Sequence, residues 1–150
     1  MKNVLIINGS LGGKDGNSNE VISHVKAQLK KTNAMEFKEI FLNQNNYQSE
    51  LENILEWADG FIFTSGTYWD SWGSPMQAFL ENCTEFEGGP VLFKKPASVI
   101  ITMHSVGGKR SSFKITGRTQ YDGTHDSSNE WYGICSLYSP RLNESNELCL

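Results

Sequence analysis

The chain has 150 residues, 20% of them charged, 38% hydrophobic and a net charge of −4, which bounds it to one domain with a fair-sized core and gives neither a nucleic-acid footprint nor a polybasic membrane patch. Its apolar runs are no longer than a strand, and no charged-then-apolar leader opens it. Three cysteines (Cys83, Cys135 and Cys149) form neither an even set nor a metal-type spacing, so the expectation is a cytoplasmic protein with free thiols and no disulfide framework or zinc site.

Residues 3–7 (NVLII) are apolar and rich in β-branched side chains, the composition of a strand buried on both faces. Residues 8–19 (NGSLGGKDGNSN) place four glycines among small polar residues. A helix follows over 20–31, with Val21, Ile22, Val25 and Leu29 at helical spacing and Asn17, Ser18 or Asn19 as N-cap. A second strand is expected over 36–42 (EFKEIFL) and a short amphipathic helix over 50–57 (ELENILEW). A compact buried strand is expected over 61–64 (FIFT), then a glycine- and aromatic-rich loop over 65–74. A helix over 75–83 starts at Pro75, where a first turn tolerates proline. Residues 97–103 (ASVIITM) read as the fourth strand, followed by a loop over 104–109 (HSVGGK).

Strands alternating with helices imply βαβ units, a parallel sheet and right-handed crossovers. Ligands of such sheets bind beyond the carboxyl ends of the strands, where loops 9–19, 65–74 and 104–109 all fall.

The first loop is neither a nucleotide P-loop, since Asn8 and Asp15 stand where glycine and Ser or Thr are needed, nor a G-x-G-x-x-G dinucleotide fingerprint. Ser10 and the Asn17-Ser18-Asn19 corner before a helix suit a monophosphate held by hydroxyls, amides and backbone N–H groups; an ordinary flexible βα loop is the alternative. Thr67, Tyr68 and Trp69, just past a buried strand, offer flat surface and hydrogen-bonding groups to a planar ring system. Tyr68, Trp69 and Trp72 would equally cover core or a subunit interface. His24 and His104 have no Ser or Cys partner at a motif spacing, which argues against a triad, and Asp70 reads as a solvated turn residue rather than a base.

From residue 2 to about 109 the sequence resembles the flavodoxin-like NAD(P)H-dependent FMN reductases. The resemblance rests on a strand, a Gly-Ser loop with a small polar cap, a Pro-x-Tyr-Trp-like segment before a helix, and a Gly-Gly loop after the fourth strand. It implies a three-layer α/β sandwich with a parallel sheet in order 2-1-3-4 and makes residues 1–109 an FMN-binding domain. Ser10, Asn17, Ser18 and Asn19 would hold the FMN phosphate, Thr67, Tyr68 and Trp69 would line the isoalloxazine, and Val106, Gly107 and Gly108 would approach its other edge. The implied activity is transfer of a hydride from NAD(P)H to flavin and on to a quinone, free flavin or other small acceptor, with no catalytic side chain, in a homodimer. Readings from other classes are a flavodoxin-type electron carrier without a nicotinamide site, and an inactive remnant. Two departures stand out: Gly66 replaces the usual proline, which would loosen the flavin loop, and Gln77 replaces a frequently basic residue.

Residues 110–150 depart from the pattern, being rich in Ser, Thr, Asn, Asp and Gly without periodicity, so that a fifth strand is not legible. The tail is expected to be irregular, the fourth strand to be an exposed edge and stability to be low. Read one nucleotide later, codons compatible with residues 110–135 permit VLLSRLQGVLNTMGLMIPPMSGMVYA, which contains an apolar helix and a Pro-Pro run of the family's kind. A frame-shifted family member accounts for the tail on this reading; a divergent natural tail is the alternative.

Overall fold

The computed structural model describes residues 1–31, 34–44, 46–87 and 89–103, and the backbone of 134–138. Five parallel strands form one sheet in the order β2-β1-β3-β4-β5: β1 Lys2–Asn8, β2 Met35–Phe41, β3 Gly60–Gly66, β4 Ala97–Met103 and β5 Ile134–Tyr138. Helices α1 Asn17–Lys30, α2 Leu51–Trp57 and α3 Ser74–Asn82 complete three layers.

The alternation of the strands decides which helix goes where. Leu5, Ile7, Phe61, Phe63, Val99 and Ile101 point to one face and meet Leu51 and Leu55 of α2 and Met76 and Phe79 of α3. Ile6, Ile62 and Ile100 point to the other and meet Ile22 of α1. Each fully buried aliphatic or aromatic side chain stabilises the fold by roughly 1.5–3 kcal/mol. Phe79 is the pivot of the larger layer, with ring centroids 5.9 Å from Tyr47 and 6.5 Å from Phe63. Truncating it to Ala would cost about 3–5 kcal/mol.

Three sequence expectations are corrected. Helix α1 begins at Asn17 rather than Glu20, capped by the extended backbone of Gly16 with no side-chain cap bond. Its three small polar residues therefore form the first turn instead of preceding it. Residues 134–138 supply a fifth strand, in register from Val99↔Ile134 to Met103↔Tyr138. The fourth strand is consequently not an edge along that stretch. At the opposite border lies β2, whose Glu36, Lys38 and Glu39 discourage edge-to-edge pairing. Among the described residues no helix is long and apolar enough to cross a membrane.

Candidate functional site

The carboxyl end of β1 runs through buried Asn8 into a tightly folded loop. Asn8 Oδ1 accepts the Ser10 N–H at 3.2 Å, and the Ser10 carbonyl accepts the Gly13 N–H at 3.1 Å. A short 3-10 turn, Gly13–Asp15, then leads to Gly16. The glycines here are steric requirements: a Cβ on Gly12 would lie 2.9 Å from the Gly16 Cα, and one on Gly16 would lie 3.1 Å from the Ser10 Oγ. Gly13 sits at φ +53° with the Asn43 side chain directly over it, so both backbone and space demand glycine. Asn43 Nδ2 also reaches the Leu11 carbonyl at 3.4 Å, bracing the loop from the end of β2.

This fold packs Ser10 Oγ against the start of α1. Ser10 is 4% exposed, yet no described residue accepts or donates at its hydroxyl. The backbone N–H groups of Asn17 and Ser18 have no acceptor within the helix and no capping side chain. A hydroxyl with no partner among the described residues, beside the free N–H groups at the positive end of a helix dipole, fits a phosphate. Among the described residues no cation is hydrogen-bonded there; the nearby Lys14 ammonium instead lies 5.3 Å over the Phe41 ring.

Of the other three residues expected to hold the phosphate, two have side chains engaged elsewhere. Ser18 Oγ and Thr102 Oγ1 are 2.8 Å apart in a buried pair that fastens α1 to β4. Asn19 Nδ2 donates to the Lys14 carbonyl at 2.7 Å and so holds the loop closed. Asn17 remains exposed on the first turn.

The aromatic loop departs from β3 through Thr67, whose N–H bonds the Thr102 carbonyl at 2.9 Å. Tyr68 and Ser71 exchange backbone hydrogen bonds at 2.8 and 3.0 Å across Trp69 and Asp70, at φ 47° and 59°. Two positive φ values make this the tight turn that normally takes Asn-Gly. Trp69 stands at its tip, fully solvated, whereas Tyr68 folds back: its ring would lie 3.2 Å from a Cβ on Gly66 and 3.3 Å from one on Gly73. The tyrosine thus rests on a bed of two glycines. Trp72, 7% exposed, belongs to the core, its indole N–H donating to Gln77 Oε1 at 3.0 Å.

Between the two loops lies Ser65, which the sequence did not single out. Its hydroxyl accepts the Gly73 N–H at 3.0 Å and stands 3.0 Å from the Gly66 carbonyl and 3.5 Å from the Gly9 carbonyl. Three buried polar atoms at this edge have no partner among the described residues: Asn8 Nδ2, Thr64 Oγ1 and Thr67 Oγ1. Such groups are uncommon and mark unfilled hydrogen-bonding capacity. Val106, Gly107, Gly108 and His104 lie outside the described residues.

Other reactive groups stand apart from this edge. His24 is exposed on α1, its Nδ1 3.0 Å from the Glu20 carbonyl. Burial, with Glu85 nearby, pushes the Cys83 thiol up to about 12, which keeps it protonated. Two surface hollows open elsewhere, around Gln48, Glu50, Glu52, Glu81 and Glu85, where carboxylates would repel a phosphate.

A family model described as NADPH-dependent FMN reductase matches residues 2–117. The chain belongs to this family. A search of curated proteins returned no match. Among solved structures it is similar to the apo form of the NADH:FMN oxidoreductase EMOB, with TM-score 0.63 and 18% identity over 79% of this chain and 66% of that one. It is also similar to FerB, a flavoenzyme NAD(P)H:(acceptor) oxidoreductase from Paracoccus denitrificans, with TM-score 0.67 and 15% identity over 95% and 78% of the two chains. A third likeness is to an FMN-dependent NADH-azoreductase from Bacillus anthracis in complex with FMN, with TM-score 0.60 and 13% identity over 77% and 79%. At such identities these likenesses establish a shared flavodoxin-like fold.

Within the FMN reductase family the two departures acquire physical roles. Gly66 provides the surface on which the Tyr68 ring lies, so its missing side chain is filled by a neighbour. Gln77 uses both ends of its amide, accepting from Trp72 and donating from Nε2 to Glu81 Oε1 at 2.6 Å. A basic residue could not accept the indole N–H.

Proposed function

We propose that the chain binds FMN at the carboxyl edge of the sheet and works as an oxidoreductase, taking a hydride from NADH or NADPH and reducing a quinone, free flavin or other small acceptor. The observation that carries this reading is the open N-terminus of α1 beside the Ser10 hydroxyl, with the buried and unpartnered Asn8 Nδ2, Thr64 Oγ1 and Thr67 Oγ1 at the same edge, one loop away from the glycine-bedded Tyr68. When bound, FMN supplies the ring that accepts hydride and returns electrons.

The chain's own part is to bind and orient. Ser10 Oγ and the N–H groups of Asn17 and Ser18 donate to phosphate oxygens, with the exposed Asn17 amide within the same turn. Asn19 and the Ser18 hydroxyl act through the frame, holding the loop and the helix start. Thr67 offers an unpartnered hydroxyl to the rim of the ring system, and Tyr68 and Trp69 offer aromatic faces. On the family resemblance Val106, Gly107 and Gly108, which lie outside the described residues, would approach the other edge of the ring system. No side chain is needed as acid or base. The same reading has the chain act in the cytoplasm as a homodimer, with the exposed Trp69 turn near the subunit interface.

The test is an absorbance spectrum of purified protein after incubation with FMN and removal of free dye, followed by NADPH oxidation with a quinone. Near-stoichiometric flavin with turnover is expected. Retained flavin without nicotinamide oxidation would leave an electron carrier, and a colourless protein would overturn the proposal.

A further inference from the structure

We propose that Ser65 is a positioning residue that couples the phosphate-holding loop to the aromatic loop, so that the two ends of FMN are gripped together rather than independently. The inference rests on the FMN-binding reading above and adds a residue to it.

The geometry is specific. Ser65 is fully buried at the end of β3 and points toward the N-terminus of α3. Its single hydroxyl proton has two acceptors in reach, the Gly66 carbonyl at 3.0 Å and the Gly9 carbonyl at 3.5 Å, while its lone pair takes the Gly73 N–H at 3.0 Å. Gly9 opens the phosphate loop; Gly66 and Gly73 flank the aromatic loop. The two backbones also touch, since a Cβ on Gly73 would come within 2.9 Å of the Gly9 carbonyl oxygen. Gly9 is itself pinned by its N–H to the Thr64 carbonyl at 2.8 Å. A shift of α3's first turn therefore moves the group against which Gly9 is held, and the proton of Ser65 reports which side is closer. Without the hydroxyl the Gly73 N–H is left unpaired in the interior, and the loops keep only van der Waals contact.

Two measurements on Ser65→Ala test this. The first is hydrogen exchange in the apo protein, which needs no cofactor. Faster exchange is expected at Gly73 and, across the gap, at Gly13 of the phosphate loop and Asn19 in the first turn of α1 by about tenfold, the scale of one hydrogen bond. The β1 amides should stay as protected as before. Acceleration confined to Gly73 would overturn the coupling, as would none at all. The second compares FMN with riboflavin, which lacks the phosphate, with and without Tyr68→Ala. In the wild type the affinity ratio FMN/riboflavin should fall several-fold when Tyr68 is removed. In the Ser65→Ala background it should not depend on Tyr68. An unchanged dependence would overturn the proposal, and Ser65→Thr, which keeps the hydroxyl, should restore wild-type behaviour. If wild type binds no FMN, the reading of the site fails while the exchange experiment still decides whether Ser65 couples the loops.

Discussion

Ser10→Ala should separate binding from folding. Ser10 is held by its backbone, whose N–H donates to Asn8 Oδ1, and no described residue is hydrogen-bonded to its hydroxyl, so the apo fold gains no hydrogen bond from that group. Removing it should change apo stability by no more than ~0.5 kcal/mol, since no protein hydrogen bond is lost with it. Toward FMN the sign reverses. A hydrogen bond to a charged acceptor contributes about 1.5–3 kcal/mol, so Kd should rise between about tenfold and about a hundredfold. Flavin fluorescence titration gives the Kd and urea unfolding of the apo protein gives the stability. Riboflavin supplies the internal control, because without a phosphate its affinity should not change. A Ser10→Ala protein that loses more than ~1 kcal/mol of apo stability while binding FMN normally would refute the reasoning and make Ser10 a structural residue.

Gly13→Ala should destabilise the chain by at least ~2 kcal/mol in urea, from the left-handed backbone and the collision with Asn43 together, and adding Asn43→Gly should recover the steric share but not the backbone share. Trp69→Asn should hold stability or raise it by about 0.5 kcal/mol, because the indole is fully solvated and Asn suits positive φ; a calorimetric Tm that falls would show that the indole has packing partners. The Asn3 N–H, with the Lys2 ammonium, holds the exposed Asp59 carboxyl below the usual aspartate range. Its contribution is present in full above its unfolded value near 3.8 and drains away as pH falls through the lower folded value. Asp59→Asn should flatten that acid limb of a stability–pH profile and leave the neutral-pH slope alone.

How far the sequence disclosed this architecture depends on whether the signal was local. Asn3 to Ile7 announced a buried central strand by composition, and Phe61–Phe63 and Ala97–Met103 did the same. The α1 start was displaced because Asn17, Ser18 and Asn19 are all good caps, and nothing local says that Gly16 takes that place once the preceding 3-10 turn closes. β5 was missed for a different reason. Its five residues, Ile134–Tyr138, sit among polar segments, and their pairing is specified by β4 rather than by their own pattern. Ser65 was illegible because its importance lies in three carbonyl and amide groups drawn together from positions 9, 66 and 73. Trp72, read as covering core or a subunit interface, and Gln77, read as a lost charge, form one hydrogen-bonded pair at the border of the core.

The strand order also governs how the molecule comes into being. β1 is synthesised before both of its neighbours, yet it lies inside the sheet, with Lys2 facing Met35 on one side and Val4 facing Gly60 on the other. Until β3 has left the ribosome, one of the most apolar segments of the chain has an open flank. Every pairing in the sheet spans a crossover, so local hairpins cannot nucleate it, and assembly has to wait for distant segments to meet. Folding should accordingly be slow for a chain of this size, and nascent chains ending before Gly60 should engage holdase chaperones through residues 3–7.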